Sequence, residues 1–291
     1  MLVRRPLMRH PICPMSNISI TGFADEVSPD LATQIAAFRR FGLDGIDIRG
    51  VGGVNVLDLS DQTLEELKAQ ASEAGLTIQC VCSPINKVLY SEKAREEELA
   101  KTRKAASIAR KLGVERIRLF TPEVPKGEDN AYWPRVKAWM ADQIAVAESN
   151  GLVLIHENDA RFFGAYPENA KRLFGELGGP HFKAAFDFAN TVLIGFRPMR
   201  DWFPWILPYL DTLHIKDAIE SEGKVVPAGQ GDGELAETLR FLLVERGWAG
   251  PLTLEPHLSA AGPYGGFSGE QLFEEAVKAI RQVLKQVRGE A

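Results

Sequence analysis

Eight short apolar runs rich in Val and Ile, each followed by a helical stretch, limit what this chain can fold into more than any other feature. The runs fall at residues 18–23, 45–49, 77–82, 116–120, 152–157, 182–187, 211–215 and 252–255. Helical patterns follow at 30–41, 61–75, 92–112, 132–150, from 167 onward, 199–209, 234–246 and 269–287. Strand–helix–strand alternation implies parallel βαβ units, and eight of them close a (β/α)8 barrel, the TIM barrel of the α/β class, which takes about 250 residues. The 291 residues accommodate one such barrel. An open doubly wound sheet competes, but that fold places a glycine fingerprint after its first strand. Here the first run leads into Ala24-Asp25-Glu26 instead.

No linker or shift in composition divides the chain, so residues 17–291 read as one barrel domain. Residues 1–16, with Arg4, Arg5, Arg9 and three prolines, read as a disordered N-terminal arm. The arm lacks the apolar stretch of a secretory signal, and no apolar run reaches the roughly 18 residues that span a membrane. A cytoplasmic protein without a membrane partner is expected. The net charge of −5 argues against a nucleic-acid partner, which calls for a basic face. Of the cysteines Cys13, Cys80 and Cys82, the last two lie on one face of the third run. They read as buried reduced thiols, with a metal or redox role as the alternative.

In a barrel of this type the active site forms at the C-terminal ends of the strands. The fifth run ends in His156-Glu157-Asn158, the sixth in Asp187, the seventh in His214-Ile215-Lys216-Asp217 and the eighth in Glu255-Pro256-His257. Four neighbouring strands therefore deliver Glu157, Asp187, His214 and Glu255 to one rim. A lone acidic residue at a strand end is readily a helix cap or an ion-pair partner. Three carboxylates converging on one buried place repel one another, and a divalent cation removes that conflict. Oxygen ligands with one imidazole suit Mn²⁺ or Mg²⁺, with Co²⁺ or Zn²⁺ also compatible.

Side chains two apart on a strand share a face. Lys216 is thus expected beside His214, as a cation near a developing oxyanion or as a partner of Asp217. His257 is expected beside Glu255 as a substrate contact, and His156 is expected to face the helices. Arg49, Lys87 and Arg118 lie at or just after strand ends and read as rim cations for the substrate, or else as surface ion pairs. The segment Gly229–Gly233 reads as a flexible loop with Asp232 capping the next helix. Asp61 is the expected N-cap of the second helix, and Gly75 its closing glycine. Trp202 and Trp205 suit either a homo-oligomer interface or the packing of the sixth helix.

At these residues the chain resembles the sugar phosphate isomerase/epimerase family, the xylose isomerase-like barrels. The resemblance runs from about Ile18 to Lys285. It rests on Gly22-Phe23-Ala24-Asp25-Glu26, Ile48-Arg49-Gly50-Val51, Cys82-Ser83-Pro84-Ile85-Asn86-Lys87, His156-Glu157-Asn158, Phe186-Asp187-Phe188-Ala189-Asn190, His214-Ile215-Lys216-Asp217-Ala218, Pro227-Ala228-Gly229-Gln230-Gly231-Asp232-Gly233 and Leu254-Glu255-Pro256-His257. It implies that Glu157, Asp187, His214 and Glu255 bind one metal ion, that Glu157 and Glu255 act as acid and base, and that Asn190 lies near substrate. Two departures stand out: Asp159 replaces a histidine found in many members, and Asn86 stands where a glycine is expected.

The implied activity is metal-dependent isomerisation or epimerisation of a ketose or related sugar, phosphorylated or not, through an enediolate. Dehydration of a keto-polyol such as an inosose begins the same way and remains a rival. An endonuclease IV-like repair enzyme shares the barrel, but its several-metal site needs many histidines and this chain has five. A non-catalytic sugar-binding protein would be expected to lose one of the four ligands.

Overall fold

The structure is a computed structural model that describes residues 18–259 and 267–290. The N-terminal arm, with Arg4, Arg5, Arg9 and Cys13, lies outside the described residues. Eight parallel strands follow the chain: β1 (Ile20–Gly22), β2 (Gly45–Ile48), β3 (Thr77–Cys82), β4 (Arg116–Leu119), β5 (Val153–Glu157), β6 (Phe182–Asp187), β7 (Leu210–Ile215) and β8 (Leu252–Leu254). Each pairs with the next from β2 to β8, β8 pairs with β1, and a parallel bridge between Phe23 and Asp47 links β1 to β2. This is a (β/α)8 barrel, with every strand within two residues of its expected bounds.

The helices start and stop where short polar residues and glycines satisfy their ends. In α1 (Leu31–Phe41), the Asp30 carboxylate accepts from Thr33 N, and Gly42 closes the helix at φ 63°. α2 (Asp61–Glu73) is capped by Ser60, whose hydroxyl accepts from Thr63 N, so Asp61 is the first helical residue rather than the cap. Ser91 and Gly113 bound α3 (Glu92–Leu112). α4 (Asp129–Ser149) starts three residues before its expected bound, and α5 (Pro167–Leu177) opens on its proline.

The expected sixth helix is broken. A short α6 (Phe188–Val192) follows β6 directly, and 199–209 contains only a wide π-type turn at Pro198–Trp202 and a tight turn at Leu207–Tyr209. Pro204 and Pro208 lack amide donors, so each removes a backbone hydrogen bond that a continuous helix would need. Trp202 there is buried against Phe186, with Trp205 beside it, so this pair packs the outer layer onto the barrel. The seventh helical pattern is likewise split, into α7 (Leu235–Leu239) and a π-type stretch at Arg240–Glu245. Glu234, not Asp232, precedes α7; Asp232 accepts from Glu220 N instead. The amphipathic α8 (Gly269–Arg288) ends the fold.

The main core lies between strands and helices, and a second cluster of Phe23, Cys80, Cys82, Ile155 and Ala185 sits apart from it. Strand parity accounts for the separation. Residues 21, 23, 47, 80, 82, 116, 118, 153, 155, 157, 185, 187, 212 and 214 alternate with the large apolar residues that meet the helices, and so share the barrel interior. Thr21 and Thr253 donate to Asp47 within this interior. Cys80 and Cys82 are buried free thiols beside Asp47. No helix among the described residues is long and apolar enough to cross a membrane.

Candidate metal centre

Strand parity also delivers the site. Glu157 ends β5 and shares its face with Ile155; Asp187 ends β6 and shares its face with Ala185. His214 lies on the inner face of β7, and Glu255 follows β8 on the face of Thr253. Ligand atoms from all four lie within 4.8 Å of one another, and all four residues are buried. His214 Nδ1 stands 3.4 Å from Glu157 Oε2 and 3.2 Å from Glu255 Oε2. Asp187 Oδ2, His214 Nδ1 and Glu255 Oε2 are fully buried and have no hydrogen-bond partner among the described residues. A buried polar atom left without a hydrogen bond costs about 1–3 kcal/mol, more when charged. Three such atoms in one cluster mark a place built for something that pairs with all of them. The donor set of three carboxylates and one imidazole fits a divalent cation.

Cations ring the carboxylates. Arg118 Nη1 donates to Glu157 Oε2 at 2.9 Å. Lys216 Nζ stands 2.8 Å from Asp187 Oδ2 and 3.9 Å from Glu255 Oε2. His257 Nε2 is 3.1 Å from Glu255 Oε1, and Arg49 Nη1 is 3.9 Å from the same oxygen. Burial and Glu255 push the Glu157 carboxyl up, but Arg118 and His214 outweigh them and hold it at about 2. Burial lowers the His214 imidazole, yet its two glutamates prevail and raise it to about 10. For Asp187 burial wins over Lys216, and the carboxyl rises to about 6. Glu255 is held well below the usual range, because Lys216 and His257 overcome its burial.

The sequence-predicted residues divide into those at the cluster and those at its edge. Lys216 pairs with Asp187, not with Asp217. His257 lies against Glu255 as expected, although it stands beyond the end of β8 at φ 45° and a bend rather than strand parity brings it there. Asn190 donates from Nδ2 to Glu157 Oε1 at 3.3 Å and from its backbone N to Asp187 Oδ1 at 2.7 Å. Arg49 is buried and donates to Asp25 at 2.8 Å. Arg118 is neither a rim cation nor a surface pair: it is 3% exposed, inside the barrel. Lys87 is at the edge, paired with Asp159 at 2.7 Å and set over the ring of Phe120. His156 turns outward onto Phe174 and Phe182, and burial lowers it to about 4.

Asn86 has φ 73°, the left-handed conformation that explains why a glycine was expected there. Its amide bonds Phe120 O, Gln143 and the Trp139 indole. Sequence reasoning missed Asn158, whose amide spans Asp187 O and N at 2.9 and 2.7 Å and fixes the end of β6. It also missed the pairing of Arg118, although the Arg-Ile-Arg-Leu alternation of β4 carries that signal. A cleft of about 1000 Å³ opens between the loops after β4 and β5, lined by Phe162, Phe163, Tyr166, Arg161 and Arg172; none of the four cluster residues reaches it.

The sequence profile of the xylose isomerase-like TIM barrels matches residues 35–283. A 2-epi-5-epi-valiolone 7-phosphate 2-epimerase from Actinoplanes sp. is 28% identical over 226 residues, covering 74% of this chain and 78% of the relative. Among solved structures, a D-tagatose 3-epimerase-like protein superposes with a TM-score of 0.75 at 16% identity, covering 94% of this chain and 99% of the other. A xylose isomerase-like TIM barrel protein from Mycobacterium smegmatis, solved with magnesium, gives 0.65 at 18% identity, covering 93% and 97%.

Proposed function

Since the chain belongs to the xylose isomerase-like TIM barrel family, we propose that it is a metal-dependent sugar isomerase or epimerase of the cytoplasm. Glu157, Asp187, His214 and Glu255 hold one divalent ion, Mn²⁺ or Mg²⁺. The observation that carries this reading is the set of buried ligand atoms on Asp187, His214 and Glu255 that lack a hydrogen-bond partner among the described residues, gathered with Glu157 within 4.8 Å. When bound, such an ion polarises a substrate carbonyl and acidifies the adjacent C–H.

The chain's own residues supply the proton chemistry. Glu157 and Glu255 flank the cluster; in each turnover one enters as the carboxylate and takes the proton from carbon while the C–H electron pair moves toward the carbonyl oxygen, and the other enters carrying a proton from solvent. The resulting enediolate recovers a proton from the other glutamate. Return to the same carbon on the opposite face inverts it; return to the neighbouring carbon isomerises the sugar. Arg118 keeps Glu157 ionised, and Lys216 Nζ supplies positive charge where the oxyanion develops. Burial of the cluster keeps bulk water off the enediolate, so its proton comes from a glutamate that exchanges with solvent between turnovers.

The test is proton exchange in D₂O with Mn²⁺ and a panel of ketoses, keto-polyols and their phosphates. Phosphates belong in it because the Actinoplanes relative is named for a phosphorylated compound. Wild type is expected to wash deuterium into a substrate carbon, and Glu157→Gln and Glu255→Gln to lose about 10²-fold or more. Full activity in both variants overturns the assignment of the bases. A product lighter by one water makes the enzyme a dehydratase on the same site.

A further inference from the structure

The turn Ala24–Glu26 after β1 carries a carboxylate that the proton chemistry does not use. Glu26 is 0% exposed. Its Oε2 accepts from His257 N at 2.9 Å and from Ser268 Oγ at 2.8 Å, and its backbone oxygen accepts from Ser268 N at 3.1 Å. Ser268 Oγ in turn accepts from Leu258 N at 3.1 Å. Glu26 therefore grips the chain just after β8 and again just before α8.

The first grip matters for chemistry. His257 has φ 45°, a left-handed conformation that costs a residue with a Cβ about 1–2 kcal/mol. Its backbone N–H bond to Glu26 holds it there. The bend lays Nε2 3.1 Å from Glu255 Oε1 and 3.3 Å from Glu26 Oε1, so one ring nitrogen faces two carboxylates. Arg49 Nη1 approaches the same nitrogen at 3.3 Å. Anchoring a loop needs only an acceptor, which a neutral amide provides. Burying a carboxylate costs several kcal/mol more, and its second oxygen, with no hydrogen-bond partner among the described residues, faces the imidazole.

We propose that Glu26 is a positioning residue: it fixes the backbone and ring of His257, and through that ring the carboxylate of Glu255. The inference rests on reading Glu255 as an acid–base group. Glu26 itself touches neither the ion site nor the reacting atoms.

The test uses full-length Glu26→Gln, which keeps an acceptor for His257 N and Ser268, with His257→Gln and the double variant. On a ketose that wild type exchanges, kcat is expected to fall about tenfold or more in Glu26→Gln with KM within twofold. The double variant should be no slower than His257→Gln alone. Mn²⁺ affinity, read by calorimetry, should stay within twofold of wild type. Wild-type kcat in Glu26→Gln, additive losses in the double variant, or a tenfold loss of Mn²⁺ affinity each overturn the proposal. An independent arm uses ¹⁵N-histidine NMR, with His257→Gln assigning the signal. The His257 ring resonance should move in Glu26→Gln while that of His156 stays; an unmoved His257 signal overturns the proposal. Absence of exchange in wild type on every ketose would count against the assigned activity, while the NMR arm still decides the role of Glu26.

Discussion

Lys216 Nζ stands 2.8 Å from Asp187 Oδ2, at ion-pair distance but without hydrogen-bond geometry, and that oxygen has no hydrogen-bond partner among the described residues. The ammonium sits beside the cluster and supplies part of the positive charge its carboxylates need. It thereby opposes a cation at the same place electrostatically while serving any anion that forms there.

Lys216→Met separates these two effects. Unit charges about 4 Å apart still interact by several kcal/mol near a protein surface, so removing the ammonium should tighten Mn²⁺ binding about tenfold or more. The same change should slow deuterium exchange about 10²-fold, the usual loss of one oxyanion partner. Calorimetry with Mn²⁺ and the D₂O assay measure both. Weaker Mn²⁺ binding in Lys216→Met would place the lysine among the supports of the ion site.

Binding of the ion should release a proton. Burial alone would lower His214, but Glu157 and Glu255 raise it to about 10, so the ion-free ring is charged at neutral pH. A ligand nitrogen must be neutral, so metal affinity should rise about tenfold per pH unit between pH 7 and 9. Below pH 6 the dependence should steepen, because burial raises Asp187 to about 6 and adds a second proton to displace. Mn²⁺ titrations in buffers of different ionisation enthalpy should report close to one proton released at pH 8. A value of zero there would mean the ring is neutral beforehand.

The strand-end pattern was legible because period two and an apolar approach place Glu157, Asp187, His214 and Glu255 without any tertiary information. Helix boundaries at Gly42 and Gly113 followed equally from local chemistry. What stayed hidden depends on neighbours far away in sequence. Glu26 meets His257 across 231 positions, and nothing local distinguishes it from a surface glutamate. Arg118 lay within reach: Arg116 and Arg118 alternate with Ile117 and Leu119, and a strand whose apolar face meets helices must turn its arginines inward. The broken sixth helix was also signalled, by Pro204 and Pro208, but the apolar spacing around them mimics a continuous amphipathic face.

His156 should make the fold acid-sensitive. Burial lowers its folded value from 6.5 to about 4, so the unfolded chain binds the proton more readily. Stability on this account is full above pH 6.5 and falls as pH drops toward 4, by up to about 3 kcal/mol. Asp47, raised by burial to about 6, works in the opposite direction but is common to wild type and variant. Urea unfolding at pH 7 and 4.5 should show wild type losing stability relative to His156→Leu. Parallel losses in the two proteins would assign the acid sensitivity to other groups.

Asp217 organises the loop beside the site with its two oxygens. Oδ1 accepts from Ala218 N and Gly233 N at 2.8 and 2.9 Å, and Oδ2 from Gly229 N and Gly231 N at 2.9 and 3.0 Å. The loop expected to be flexible is therefore tied to the residue after Lys216. Glycine is needed at the ties: a Cβ on Gly231 or Gly233 would lie 2.5 or 2.6 Å from Oδ1. Asp217→Ala leaves four donors without an acceptor, at about 1 kcal/mol or more each where water does not reach them. Asp217→Asn is the sharper probe, because its amide can accept on one side only and presents N–H against N–H on the other. Hydrogen exchange should then lose protection at Gly233 while Gly229 and Gly231 keep it, or the reverse. Protection retained at all three glycines would mean that the loop stands without the carboxylate.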